Sequence, residues 1–137
     1  MFKELSQANA RDIMSREVLT LSSENTISEA VQIMSQHNVG SLVVSEHGKI
    51  AGIFTERDLM RRVIGHGIDP KKIPLGEVMT RKVEIVQASD NAILLLEKMC
   101  DNNFRHLPVL DGEKLVGMIS LKHFYRFFLA SRQSMGV

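Results

Sequence analysis

Gly52-Ile53-Phe54-Thr55-Glu56-Arg57-Asp58 places a glycine, a hydroxyl and a carboxylate at intervals of three residues. The stretch leaves a short apolar run, residues 50–54, and enters a helical pattern of Leu59, Met60, Val63 and Ile64. A strand that hands over to a helix through a hydroxyl residue offers backbone N–H groups and a side-chain oxygen to an anion or a sugar. An ionised Asp58 accepts hydrogen bonds from both hydroxyls of a vicinal diol, and Arg57 beside it supplies a cation for phosphate. The same spacing has a structural reading. Thr55-x-x-Asp58 has the form of a capping box that closes the first turn of a helix. At this point both readings stand.

Sixty-five residues on, Gly117-Met118-Ile119-Ser120-Leu121-Lys122-His123 makes a second exit of the same kind, with His123 where the first has Asp58. In the bland reading His123 is an ordinary first-turn residue and Lys122 a solvated one. In the sharp reading both touch a phosphate. A protonated imidazole there would oppose the helix dipole.

These exits belong to a longer repeat. Residues 13–61 align with 78–126 without a gap, bringing together Met14 and Met79, Met34 and Met99, Asn38 and Asn103, Gly52 and Gly117. Each copy reads as strand, helix, strand, strand, helix. In the first, residues 18–21 are β-prone and Thr26-Ile27-Ser28-Glu29 has the form of a capping box. Ile27, Ala30, Val31 and Met34 then form an amphipathic stripe. Two short strands flank a loop at 46–49, and the second helix starts at Thr55. The predicted organisation is repeat 1 over 10–64, a Pro- and Gly-containing linker over 65–76, and repeat 2 over 77–130. The expected fold class is α+β, with two β-α-β-β-α repeats about a pseudo-two-fold axis and their sheets face to face.

Composition narrows the function. A formal net charge of +1 gives no basic face for nucleic acid, and 44% hydrophobic with 24% charged residues is ordinary for a soluble globular protein. No apolar run reaches the ~20 residues of a membrane span, and the N-terminus does not read as a signal peptide. The single Cys100 precludes an internal disulfide and points to the cytoplasm; beside Met99 it reads as a small apolar packing residue. His37, His47 and His66 are too scattered for a metal set, and no metal is expected. No activated nucleophile or acid–base pair stands out, so an enzyme is not expected. The final helix carries Leu121, Phe124, Tyr125, Phe127, Phe128 and Leu129, more than one buried face requires, which predicts a homodimer through the helices.

With the repeat laid out, the residues resemble a known family. Val18-Leu19-Thr20-Leu21, residues 38–44 and Gly52 to Asp58 look like a cystathionine-β-synthase (CBS) domain. Arg105-His106-Leu107-Pro108-Val109 with Gly117-Met118-Ile119-Ser120 looks like the second member of a pair, a Bateman module, in a small stand-alone protein. The resemblance implies a regulatory module that senses an adenosine ligand: AMP, ADP or ATP, with NAD(H) or S-adenosylmethionine as other members of the class. It requires no further cofactor, and the regulated partner is unspecified. It places the sites in the cleft between the repeats, with Asp58 on the ribose and Thr55 and Arg57 near phosphate. Thr20 and Leu21 would lie against the base, and Val39, Ile53 and Val44 would wall the adenine, with Gly52 keeping side-chain bulk out of the cleft. Arg105 and His106 would approach the phosphates, with Met118, Ser120, Lys122 and His123 at the second, altered site. A structural or protein-binding module with vestigial sites is the alternative; a nucleotide-acting enzyme ranks below it.

Overall fold

A computed structural model describes residues 2–134. In chain order the elements are α1 (Phe2–Gln7), α2 (Ala10–Ile13), β1 (Thr20–Ser22), α3 (Ile27–His37), β2 (Ser41–Glu46) and β3 (Lys49–Thr55). There follow α4 (Glu56–Asp58), β4 (Val86–Gln87), α5 (Ala92–Asn102), β5 (His106–Asp111), β6 (Lys114–Ser120) and α6 (Leu121–Ser134). The α+β class and the β-α-β-β-α order of each repeat are as the sequence predicts.

Two compact units emerge: one is the contiguous stretch 19–83, and the other joins the N-terminal segment up to residue 18 to the chain from residue 84 onward. In the first, β1 runs parallel to β2 and β2 antiparallel to β3. Leu42, Val44 and Phe54 from this sheet pack on Ile27, Ala30 and Met34 of α3 and on Leu75, Val78 and Met79 from the stretch after β3. In the second, β4, β5 and β6 repeat the pattern. Its core joins Leu107, Val109 and Ile119 to Leu95 and Met99 of α5 and to Leu5, Ala10, Ile13 and Met14 of the N-terminal segment. The recurring methionines are thus core residues, which suits an unbranched, adaptable side chain.

Identities between the copies have local causes. Asn38 and Asn103 end α3 and α5 in the left-handed region, at φ 52° and 57°, which Asn adopts more readily than most residues. Both antiparallel pairs carry the same register shift, after Val44 and after Val109. At Gly52 an added Cβ would lie 2.5 Å from the Thr80 carbonyl oxygen. Ile53 and Thr80 exchange backbone hydrogen bonds of 2.9 and 2.8 Å there. Gly117 makes the same room for Ser15, which bridges to Met118.

Three local expectations need correction. The second helix of the first repeat is not a regular α-helix: after α4 the chain widens into a π turn over Leu59–Val63 and tightens into a 3-10 turn over Ile64–His66. Gly65 and Gly67 follow closely, and the wide turn buries Val63 while Met60 and Ile64 stay exposed. The expected capping box at Thr26 is half formed. Thr26 accepts from the Glu29 N–H, but the Glu29 carboxylate turns to Asn25 Nδ2 at 2.6 Å. Cys100 is exposed, because the helical period that turns Met99 inward turns its neighbour out.

Candidate functional site

Asp58 is buried, 6% exposed, at the end of α4, and both of its carboxylate oxygens are engaged. Oδ2 accepts from the Thr55 backbone N–H at 3.0 Å and from the Thr55 hydroxyl at 3.2 Å. The Asp58 N–H returns a bond to Thr55 Oγ1 at 3.2 Å, so the capping box is complete. Oδ1 accepts from the Thr80 hydroxyl at 2.9 Å and lies 3.7 Å from Arg62 Nε. Arg62 in turn donates to the carbonyls of Met79 at 2.8 Å and Val78 at 3.3 Å. The capping role is therefore present. The carboxylate also anchors the chain at 78–80, with a hydroxyl and a guanidinium gathered on Oδ1.

The second copy solves the same capping problem with different chemistry. His123 is buried at the start of α6, and its Nδ1 lies 2.9 Å from the Ser120 backbone N–H and 3.3 Å from Ser120 Oγ. The donor is a backbone amide, so Nδ1 is the acceptor and the ring proton sits on Nε2. Burial, reinforced by Lys122, Arg126 and His106, depresses the imidazole from its ordinary 6.5 to about 4. At neutral pH His123 is an uncharged cap. The opposition between imidazolium and helix dipole does not arise.

The other expected residues divide between the two units. In 19–83, Thr20 is exposed on β1, Leu21 is half-buried beside it, Ile53 is buried where it meets Thr80, and Arg57 is half-buried. Val44 is sealed in the core. Val39 lines a groove of about 230 Å³ with Val31, Met34, Glu56 and Leu59, and neither Thr55 nor Asp58 borders it. The residues at the places of Val39 and Leu59 in the second copy are the larger Phe104 and Phe124. In 84–137, His106 opens β5 half-buried, Arg105 and Lys122 are exposed, and Met118 and Ser120 are buried. The structure thus brings Thr55 together with Asp58, and Ser120 with His123. Sequence reasoning missed Thr80 and Arg62. Thr80 had a signal, since it aligns with Ser15 and both are hydroxyl residues after a methionine. Arg62 had none, because Phe127 stands at its place in the second copy.

Among the described residues no three His, Cys, Asp or Glu side chains gather to hold a metal ion, and no helix is long and apolar enough to cross a membrane.

The model of the CBS domain matches residues 10–65 and 75–130, and the chain belongs to that family, as a tandem pair. One relative is the CBS domain-containing protein CBSX3, mitochondrial, of Arabidopsis thaliana, 36% identical over 75% of this chain. This chain spans about half of that protein, 52% of its length. Another is the CBS domain-containing protein YhcV of Bacillus subtilis, 36% identical over 83% of this chain and 81% of its own. Among solved structures, the CBS domain pair of protein MJ0100, in complex with 5'-methylthioadenosine and S-adenosyl-L-methionine, superposes with a TM-score of 0.78 at 28% identity. That match covers 90% of this chain and 98% of that one.

Proposed function

We propose that this chain is a regulatory module that binds an adenosine ligand through Asp58 and Thr55 of the first repeat and does not turn it over. The observation that carries the reading is the Asp58–Thr80 contact. A buried carboxylate that already holds a side-chain hydroxyl on Oδ1 has the acceptor geometry a ribose hydroxyl requires. Each carboxylate oxygen accepts two bonds, so a ligand hydroxyl takes the place of Thr80 or joins it. The MJ0100 pair with its two adenosine compounds supports the ligand class. AMP, ADP and ATP are the proposed ligands, with Arg57 near phosphate and Thr20, Leu21, Val39 and Ile53 contributing to base contacts. Occupancy shifts the chain between states by no more than the ligand's difference in affinity for them, and the shift alters the surface offered to a regulated partner. Mass spectrometry of small molecules released from protein purified from its own cells tests the class directly. An adenosine compound in stoichiometric amount is the expected result; its absence, together with no binding on titration, contradicts it.

A second reading has an observation of its own. Asp58 and His123 both cap a helix start, so both are accounted for in a protein-interaction module with vestigial sites. Asp58→Ala separates the two readings. Loss of stability with unchanged adenosine affinity favours the interaction module; a sharp loss of affinity favours the sensor.

The module also works as a homodimer in this proposal. Leu121, Tyr125 and Leu129 form an exposed stripe along α6, and Leu94 is exposed on α5. Sedimentation of dilute protein should show a dimer, and a species of 15.4 kDa alone would refute it.

A further inference from the structure

The stretch after Asp58 holds two helical registers at once. The Ile64 N–H donates both to the Leu59 carbonyl, five residues back, and to the Met60 carbonyl, four back. The first bond closes a π turn and the second an α turn, so one amide sits between the two. In the second copy the same stretch is the regular α6, where Phe127, at the place of Arg62, packs partly buried against its own core. A regular helix in the first copy would carry Arg62 to that apolar place. The wide turn instead leaves Arg62 about half exposed, with Nη1 on the Met79 and Val78 carbonyls at 2.8 and 3.3 Å, and keeps Val63 fully buried. Gly65 and Gly67 follow, and residues without a side chain absorb backbone change readily. A Cβ added at Gly65 would lie 3.1 Å from the Met60 carbonyl oxygen, so the wide turn is easiest with glycine there.

We infer that Arg62 is a positioning residue that selects the wide register, and that this turn is a two-state element linked to occupancy of Asp58. The link rests on the adenosine reading of Asp58. Thr80 on Oδ1 and Arg62 on the carbonyls of 78 and 79 together hold one short piece of chain against Asp58, and Arg62 Nε lies 3.7 Å from the same Oδ1. A ligand hydroxyl that displaces Thr80 loosens the carbonyls next to it, and Arg62 gives up its acceptors. The Ile64 amide then closes on Met60 alone, and the stem of Arg62 lies along the apolar place with its charged head in water. Met60 and Ile64, 60% and 65% exposed, turn with the register, so the apolar surface offered to a partner changes. The second copy, with Phe127 in place of Arg62, keeps one register.

The test follows the acceptor of the Ile64 amide in the full chain by NMR couplings measured through the hydrogen bond. Ligand-free wild type should couple to both carbonyls. Two variants should move the bond to Met60 without ligand. Arg62→Met removes the tie to 78–79, and Gly65→Ala disfavours the wide turn while leaving Asp58 and its partners intact; thermal melts verify that both fold. Saturating adenosine should make the same change in wild type, and by reciprocity both variants should bind adenosine severalfold tighter. A wild-type amide bonded to Met60 alone, a bond unchanged in either folded variant, or adenosine that saturates and leaves the bond as it was would overturn the inference. Adenosine that does not bind wild type contradicts the sensor reading and the link with it, while the two variants still decide the role of Arg62.

Discussion

Thr80 Oγ1 donates a 2.9 Å hydrogen bond to Asp58 Oδ1 across 22 residues of sequence. One carboxylate therefore fixes a helix start through Oδ2 and the chain at 78–80 through Oδ1. The contact makes Asp58 structural and chemically competent at once, and the predictions that follow separate the two roles.

Asp58→Ala removes the cap and leaves Thr80 and Arg62 without their buried partner. Loss of a cap costs about 1 kcal/mol, and stranding further polar groups brings the total to about 2–3 kcal/mol. Urea denaturation measures it. Thr80→Val removes a single bond and should cost about 1 kcal/mol.

Gly52→Ala sets a methyl carbon 2.5 Å from a backbone oxygen that is itself paired with Ile53. A carbonyl in a bridge cannot turn aside as a side chain does, so the Ile53–Thr80 bridge opens at a cost of about 2–3 kcal/mol. A much smaller loss in the denaturation midpoint would show that the chain at 80 is free to shift.

Acid should destabilise the protein through His123. Its folded value of about 4 lies below the ordinary 6.5, so the unfolded chain binds the proton more tightly. The contribution is fully present above pH 6.5 and is lost as pH falls toward 4, by at most about 3.5 kcal/mol at about 1.4 kcal/mol per unit. Lys122, Arg126 and His106, which surround the ring, add to the effect. His123→Asn keeps an acceptor at the cap and should flatten this part of the pH–stability profile. An unchanged profile would place the acid sensitivity elsewhere.

Cys100, exposed on α5, should react with a thiol reagent in the native protein at a rate close to that of the denatured chain. Cys100→Ser should change stability by less than about 0.5 kcal/mol.

Much of this architecture can be read from sequence, and the reasons are local. The gapless alignment of 13–61 with 78–126 carries the duplication, and apolar periodicity carries α3, α5 and the two hairpins. The equivalent Asn38 and Asn103 lie where each helix turns left-handed, a position the repeat marks without explaining. The π turn after Asp58 is not legible, since Leu59, Met60, Val63 and Ile64 carry an ordinary helical stripe and nothing local demands the wider turn. Gly52 shows the limit most plainly. A glycine at a strand end suggests room for a ligand, and what approaches it is the backbone of Thr80. Partners that distant in sequence are set by tertiary packing, which spacing along one element does not encode.

The central claim is that Asp58 and Thr55 bind an adenosine compound. The direct measurement is isothermal titration of ligand-free protein with AMP, ATP, NADH and S-adenosylmethionine, repeated on Asp58→Ala at a temperature where the variant is folded. The account predicts saturable heat with at least one of them and an affinity at least tenfold weaker in the variant. No heat from any of the four, or equal affinity in the two proteins, would contradict it.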